Sequence, residues 1–266
     1  MKKRVLLIGA LFLCLLFPLS TSAFAYTQMV VFGDSLSDNG NIGRFTDGPI
    51  WVETLATELG ADLYDFAYGG ATTGYDNPAA GLSYTGLQWQ VDNYYLASTD
   101  DALFTVWAGG NDFLQSRSPV EAAANIGVAL ENLYTDGARD ILVGNLPDIG
   151  ATPAFYEGPL ADAATQWTIG FNYLLGNVLL DFEATHKDAI LYNLDAYGVF
   201  SGFVPGTPDW AELFWVDGFH PSSAGHQLIA DYAYNEVAPV PEPSTIVLMG
   251  LGLVGLAGLG RKKFRK

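Results

Sequence analysis

The sequence predicts an α/β sandwich built on a mainly parallel sheet. Three observations carry that expectation: five short apolar runs, longer helix-compatible stretches alternating with them, and no repeat or long linker between positions 26 and 237. In chain order, Met-Val-Val-Phe at 29–32 stops at Gly33 and reads as a buried first strand. Residues 50–59 are longer and read as a helix, and 63–66 supply a second buried strand. A helix over 87–96 leads to the most apolar run, 102–108, as the third strand. After a helix over 120–134 comes the fourth strand at 141–144. The long stretch 161–185 then precedes a fifth strand at 189–194, also read as buried, and 222–235 closes the body as a helix. In sheets of this kind, working residues gather on loops beyond the C-terminal ends of the strands.

The chain has 266 residues, 50% hydrophobic and 15% charged, enough apolar material for a sizeable core. Disordered, collagen-like and disulfide-stapled classes are excluded by that composition. The formal charge of −17 is unevenly spread. Between the basic ends only Arg44, Arg117, Arg139 and Lys187 stand against every acidic residue but Glu242, 29 less one, so the body carries about −24. A surface of that sign repels phosphate backbones and anionic lipid, which argues against nucleic-acid binding and against membrane docking through the body. Cys14 is the sole cysteine, so the body holds no disulfide, thiolate nucleophile or Cys-ligated metal.

Both ends read as addresses. Lys2-Lys3-Arg4, an apolar run over 5–17 and Ala23-Phe24-Ala25 form a signal peptide over 1–25, an uncleaved anchor being the alternative. Bulky Phe12 and Leu13 before Cys14 do not suit a lipoprotein site. The body is therefore expected to be exported by way of signal peptidase. Residues 238–266 hold Val240-Pro241-Glu242-Pro243, a short transmembrane segment at about 246–260 and a basic cluster at 261–266. As a helix, 244–260 reaches about 25 Å, short of a ~30 Å hydrocarbon core, and the basic end would stay cytoplasmic. The tail resembles the PEP-CTERM sorting signal. That resemblance implies cleavage near 241–243 by an exosortase that releases or re-anchors the body, with membrane engaged only through this segment before processing. A plain C-terminal anchor is the alternative.

Four segments of the body stand at strand exits or a helix entry and can converge on one sheet edge: Gly33-Asp34-Ser35-Leu36-Ser37-Asp38-Asn39-Gly40-Asn41, Ala67-Tyr68-Gly69-Gly70-Ala71-Thr72-Thr73, Gly109-Gly110-Asn111-Asp112 and Asp217-Gly218-Phe219-His220-Pro221. These residue types suit acyl transfer, since a serine hydroxyl needs a base to take its proton and histidine is poised for that near neutral pH. Of three histidines, His186 lacks an orienting motif and His226 reads as packing or capping in the last helix. His220 has Asp217 three residues before it, an arrangement that lets the carboxylate orient one ring nitrogen while the other faces Ser35. The backbone amides of Ser35 and Gly70 are natural oxyanion donors, with the Asn111 side chain as a third.

Read together, GDSLSDNGN, FAYGGATT, GGND and DGFHPSSAGH resemble the four ordered motifs of the GDSL-type, or SGNH, hydrolases and lipases. Residues 137–153 also look like an interior segment of lipase-type members, and the resemblance spans about 29–236. It implies a flavodoxin-like three-layer α/β/α fold with a five-stranded sheet, Ser35 as nucleophile, Asp217 and His220 completing a triad, and Ser35, Gly70 and Asn111 as oxyanion hole. The G-x-S-x-G elbow of ordinary α/β-hydrolases is absent.

Any one motif alone is ordinary turn chemistry. Asp34 and Asp112 read as satisfying loop amides, and Asp38, Asn39 and Asn41 as turn residues rather than a calcium site. No cluster marks a metal, and no cofactor is required. Arg44 reads as ion-paired or solvated rather than as an anion contact. The six tryptophans read mostly as core, while Trp210, Phe214 and Trp215, just before the Asp217 loop, are expected to line an acyl or aryl pocket. The expected function is a secreted or envelope-associated serine esterase or lipase acting on a lipid, aryl or acetylated-glycan ester through an acyl-enzyme. The alternatives are a polysaccharide O-acetyl esterase with the same site, or a non-catalytic surface glycan-binding or matrix protein.

Overall fold

The computed structural model describes residues 26–96 and 98–238; the expected leader and sorting tail lie outside them. Five strands, β1 (Gln28–Gly33), β2 (Asp62–Asp65), β3 (Ala102–Trp107), β4 (Asp140–Gly144) and β5 (Ile190–Leu194), form one sheet. All neighbours are parallel and the spatial order is β2-β1-β3-β4-β5, the flavodoxin-like arrangement. Eight α-helices accompany it among the described residues: α1 (Trp51–Leu59), α2 (Leu87–Asn93), α3 (Gly110–Leu114), α4 (Pro119–Thr135), α5 (Ala161–Thr185), α6 (Ala196–Ser201), α7 (Pro208–Ala211) and α8 (Ser223–Val237). Helix α1 packs on α8, while α4 packs on both α2 and α5, giving the two helical layers of a sandwich.

The core lies where the sequence is most apolar. Every residue of β3 is buried, as are Met29, Val30, Val31 and Phe32 of β1, because these central strands have sheet on both sides and helices on both faces. The expectation that all five strands are buried is corrected at the edges. In β2, Asp62 and Tyr64 are exposed, and in β5, Ile190 and Asn193 are exposed, since each strand has a neighbour on one side only. The helix expected over 87–96 ends at Asn93. Tyr94 turns extended there, and its ring packs edge-on against Phe32 at 5.1 Å and Phe66 at 5.9 Å. Of the tryptophans, Trp51, Trp107 and Trp210 are buried, while Trp89, Trp167 and Trp215 are only half-buried.

The start of α1 ties the last helix to the front of the fold. The Glu53 carboxylate accepts the Ile50 N–H at 3.0 Å and holds Arg44 at 2.6 Å, so Arg44 is ion-paired. Buried His226 of α8 accepts the Trp51 N–H on Nδ1 at 3.3 Å. Burial first, then electrostatic repulsion from the His220 and Arg44 side chains, push its pKa down from 6.5 to about 3. An unfolded chain binds this proton below pH 6.5 and the folded one does not, so His226 contributes stability that is present above 6.5 and lost as pH falls toward 3. Over that window the loss amounts to about 4 kcal/mol. In paired urea melts, wild type is expected to lose stability relative to His226→Gln as pH is lowered from 7 to 4. A difference that does not vary with pH would show that His226 is not held neutral.

Candidate active site

Strand β1 ends in a conformation that only glycine accepts. A Cβ at Gly33 would collide with the Trp107 carbonyl on β3. Gln90 of α2 clasps the same residue, taking its N–H at 2.9 Å and donating to its carbonyl at 2.8 Å. The next residue, Asp34, folds the chain back. Its carbonyl accepts the N–H groups of Ser37 and Asp38, both at 3.0 Å, and its carboxyl accepts that of Leu36 at 3.1 Å. Ser35 sits in this turn, beside β3 on the open edge of the sheet.

His220 reaches Ser35 from a tightly tied loop. Phe214 bridges Pro221, the Trp215 N–H donates to the His220 carbonyl at 2.8 Å, and Gly218, at φ +68°, donates to Trp215 at 2.8 Å. Asp217 Oδ1 accepts the N–H groups of Phe219 at 2.9 Å and His220 at 3.0 Å. Its other oxygen lies 2.6 Å from His220 Nδ1, and His220 Nε2 lies 2.7 Å from Ser35 Oγ. Burial alone would push Asp217 up, but the bonds from His220 and the two backbone amides outweigh it and hold the carboxyl below its ordinary range. Phe45 stacks on the imidazole at 4.9 Å and Phe219 meets it edge-on at 5.3 Å.

The glycine loop after β2 is clamped from two sides. Asp38 accepts the Gly69 N–H at 2.6 Å and Asn77 donates to the Gly69 carbonyl at 2.8 Å. Gly70 adopts φ +84°, where a Cβ would come within 2.6 Å of Asn77 Oδ1. Asp38 also donates its own N–H to Asp34, so one residue ties the Ser35 turn to the Gly69-Gly70 loop. Among the described residues, the N–H groups of Ser35 and Gly70 donate to no protein acceptor. Asn111, in the first turn of α3, donates to Asp34 Oδ2 at 3.3 Å. Burial pushes Asp34 up to about 7 against the bonds from Leu36 and Asn111. Asp112 accepts the N–H and hydroxyl of Thr73, the structural part expected of it.

The structure thus brings Ser35, His220 and Asp217 into one hydrogen-bonded line and links Asn111 and the Gly70 loop to it through Asp34 and Asp38. His186 pairs instead with Glu131 at 3.0 Å. Beside Ser35 and Asn111 lies an apolar cavity of about 30 Å³ that Phe214 lines, and Trp210 lines a neighbouring cavity of about 170 Å³. Trp215 lines neither of these two cavities; it sits half-buried in the His220 turn, its N–H on the His220 carbonyl. Sequence reasoning missed Phe45 and Asn77, each four residues beyond a motif, and Gln90, which is remote from all of them. The Asp38 clamp could have been suspected, since Asp38 lies in the same motif as Ser35.

The sequence matches the family described as GDSL-like Lipase/Acylhydrolase over residues 29–233. The chain belongs to that family. Among relatives of this GDSL-family chain, Esterase EstA of Pseudomonas aeruginosa is 30% identical across 84% of this chain and 49% of its own. The Phosphatidylcholine-sterol acyltransferase of Aeromonas hydrophila is 30% identical across 60% of this chain and 56% of its own. This chain spans about half the length of those curated relatives. Two solved structures share the fold. One is a lipolytic G-D-S-L protein from Veillonella parvula, with TM-score 0.58 and 17% identity over 80% of this chain and 99% of that one. The other is the M. smegmatis aryl esterase, with TM-score 0.55 and 20% identity over 79% and 98%. Residues 239–262 match the PEP-CTERM protein-sorting motif, which marks the GDSL-family body for export and sorting at the cell envelope.

Proposed function

We propose that this chain is an exported serine esterase that cleaves carboxylic esters through an acyl-enzyme. The observation that carries the reading is the unbroken line of 2.6 and 2.7 Å contacts from Asp217 through His220 to Ser35. His220 Nε2 takes the Ser35 proton as Oγ attacks the ester carbonyl, and the ionised Asp217 stabilises the imidazolium. The oxyanion is received by the N–H groups of Ser35 and Gly70 and by the Asn111 amide. His220 then protonates the leaving alcohol, and a water activated by the same nitrogen releases the acid. The sorting motif supports processing of the tail near 241–243 by an exosortase, after signal peptidase has removed 1–25.

The test is covalent. The full chain treated with an alkyl fluorophosphonate is expected to take one label, on the tryptic peptide that holds Ser35. Labelling elsewhere, or none in folded protein, overturns the reading. A kinetic prediction accompanies it. Asn111→Ala is expected to lower kcat by about 10²–10³ with little change in KM, because the lost donor acts on charge that develops only in the transition state. A loss confined to KM would remove Asn111 from the oxyanion hole.

A further inference from the structure

The cavity beside Ser35 lies on the acyl side of the reaction. In ester cleavage the leaving alcohol receives its proton from the base, so it departs next to His220 Nε2. The cavity walls include Ser35 and Asn111 but neither His220 nor Asp217. The part of the ester left for this space is the acyl group. The walls suit it, since Leu36, Leu146, Ile149 and Phe219 are among the apolar residues that line it.

The space is small. Its volume is about 30 Å³. Directly behind it lies the cavity of about 170 Å³. The two share three residues: Pro147, Phe200 and Phe214. Phe200 comes from α6 and is 8% exposed. Its ring centroid lies 5.7 Å from that of Phe214, which in turn packs at 5.5 Å on Trp210. The Trp210 indole is fixed by its N–H bond to the Ala151 carbonyl at 3.1 Å. Two packed rings, backed by an anchored third, therefore stand between the reacting serine and the larger space.

We propose that Phe200 and Phe214 wall the small acyl pocket off from the larger space, which makes short-chain acyl esters, acetate first among them, the substrate class of this site. The compartment behind them is the space that a longer acyl chain would need. This inference rests on the proposed role of Ser35 and goes beyond it in naming the acyl group and the residues that select it.

The test uses the full chain and the p-nitrophenyl esters of acetate, butyrate and octanoate. One methylene too many in a fitted pocket costs roughly 10–200-fold in kcat/KM, so octanoate is expected to fall at least about 100-fold below acetate. Phe200→Ala joins the two cavities and is expected to raise the octanoate-to-acetate ratio by at least about 10-fold. Phe200 is the position to change, because Phe214 bridges Pro221 in the His220 loop. Phe200→Leu, which keeps more of the packing, serves if the alanine variant fails to fold, and the ratio should again rise. Wild type that cleaves octanoate as well as acetate overturns the proposal, as does a folded Phe200 variant with an unchanged ratio. Failure of the fluorophosphonate to label Ser35 would bring down the esterase reading itself. Labelled Ser35 with a flat chain-length profile would bring down the aromatic wall alone.

Discussion

Ser35→Ala is expected to lower kcat for ester hydrolysis by about 10⁶, leaving only the roughly 10³–10⁴-fold advantage over water that binding and oxyanion donors supply without a nucleophile. Among the described residues Ser35 Oγ has one protein partner, His220 Nε2 at 2.7 Å, so its removal is expected to end covalent catalysis and to leave the rest of the site in place. The turn that carries it depends on Asp34, whose carbonyl and carboxyl hold Ser37, Asp38 and Leu36, and none of those bonds uses the Ser35 side chain. Stability should therefore change by less than about 1 kcal/mol, and KM by little, because the hydroxyl is not a binding group. Steady-state kinetics on the acetate ester, a thermal melt and the fluorophosphonate label check all three. A variant that keeps even a hundredth of the wild-type kcat, or still takes the label, would mean that another residue is the nucleophile.

The parts of this molecule that were legible in the sequence are those set by contiguous residues. The buried runs of β1 and β3 announce themselves because a central parallel strand is apolar on both faces. Three of the motifs lie at strand exits and the fourth at the entry to α8; a parallel sheet places the loops from successive strands on one edge, and the change of winding direction between β1 and β3 brings the Ser35 turn and Asn111 side by side. What escaped is set by packing between distant segments. Nothing near Phe45 distinguishes it from any other phenylalanine. It matters because its ring lies between the imidazole of His220 and the backbone of Gly69, where a Cβ would strike it. Gln90 reads as an ordinary helical glutamine, although its amide holds both polar groups of Gly33, 57 residues away. Proximity to Asp217 pointed to Trp210, Phe214 and Trp215; Phe214 and Trp210 do line the two cavities, while Phe200, which lines both, arrives from another helix altogether.

Asp217→Asn is expected to lower kcat by about 10⁴ while leaving the fold intact. The carboxylate has two functions on two different oxygens. Oδ1 holds the Phe219 and His220 N–H groups, and an asparagine carbonyl can keep both bonds. Oδ2 faces His220 Nδ1 at 2.6 Å, and there the variant presents an N–H. Two donors cannot share that contact, so the ring takes the tautomer in which Nδ1 accepts. The proton then resides on Nε2, which donates to Ser35 and can no longer receive its proton. Asp217→Ala removes the loop anchors as well and should lose stability in addition to a similar loss of kcat, which separates the tautomer from the tether. The pH dependence has a definite sign. A carboxyl held below its ordinary range contributes stability that is complete above the unfolded value of 3.8 and fades as pH falls through the lower folded value. The part of the stability difference between wild type and Asp217→Asn that comes from this carboxyl should accordingly shrink as pH falls below about 4 in paired urea melts. An asparagine variant with near wild-type kcat would show that ring orientation suffices and that the negative charge is dispensable. One with lost kcat and an unchanged stability profile would show that the carboxylate acts on the imidazole alone.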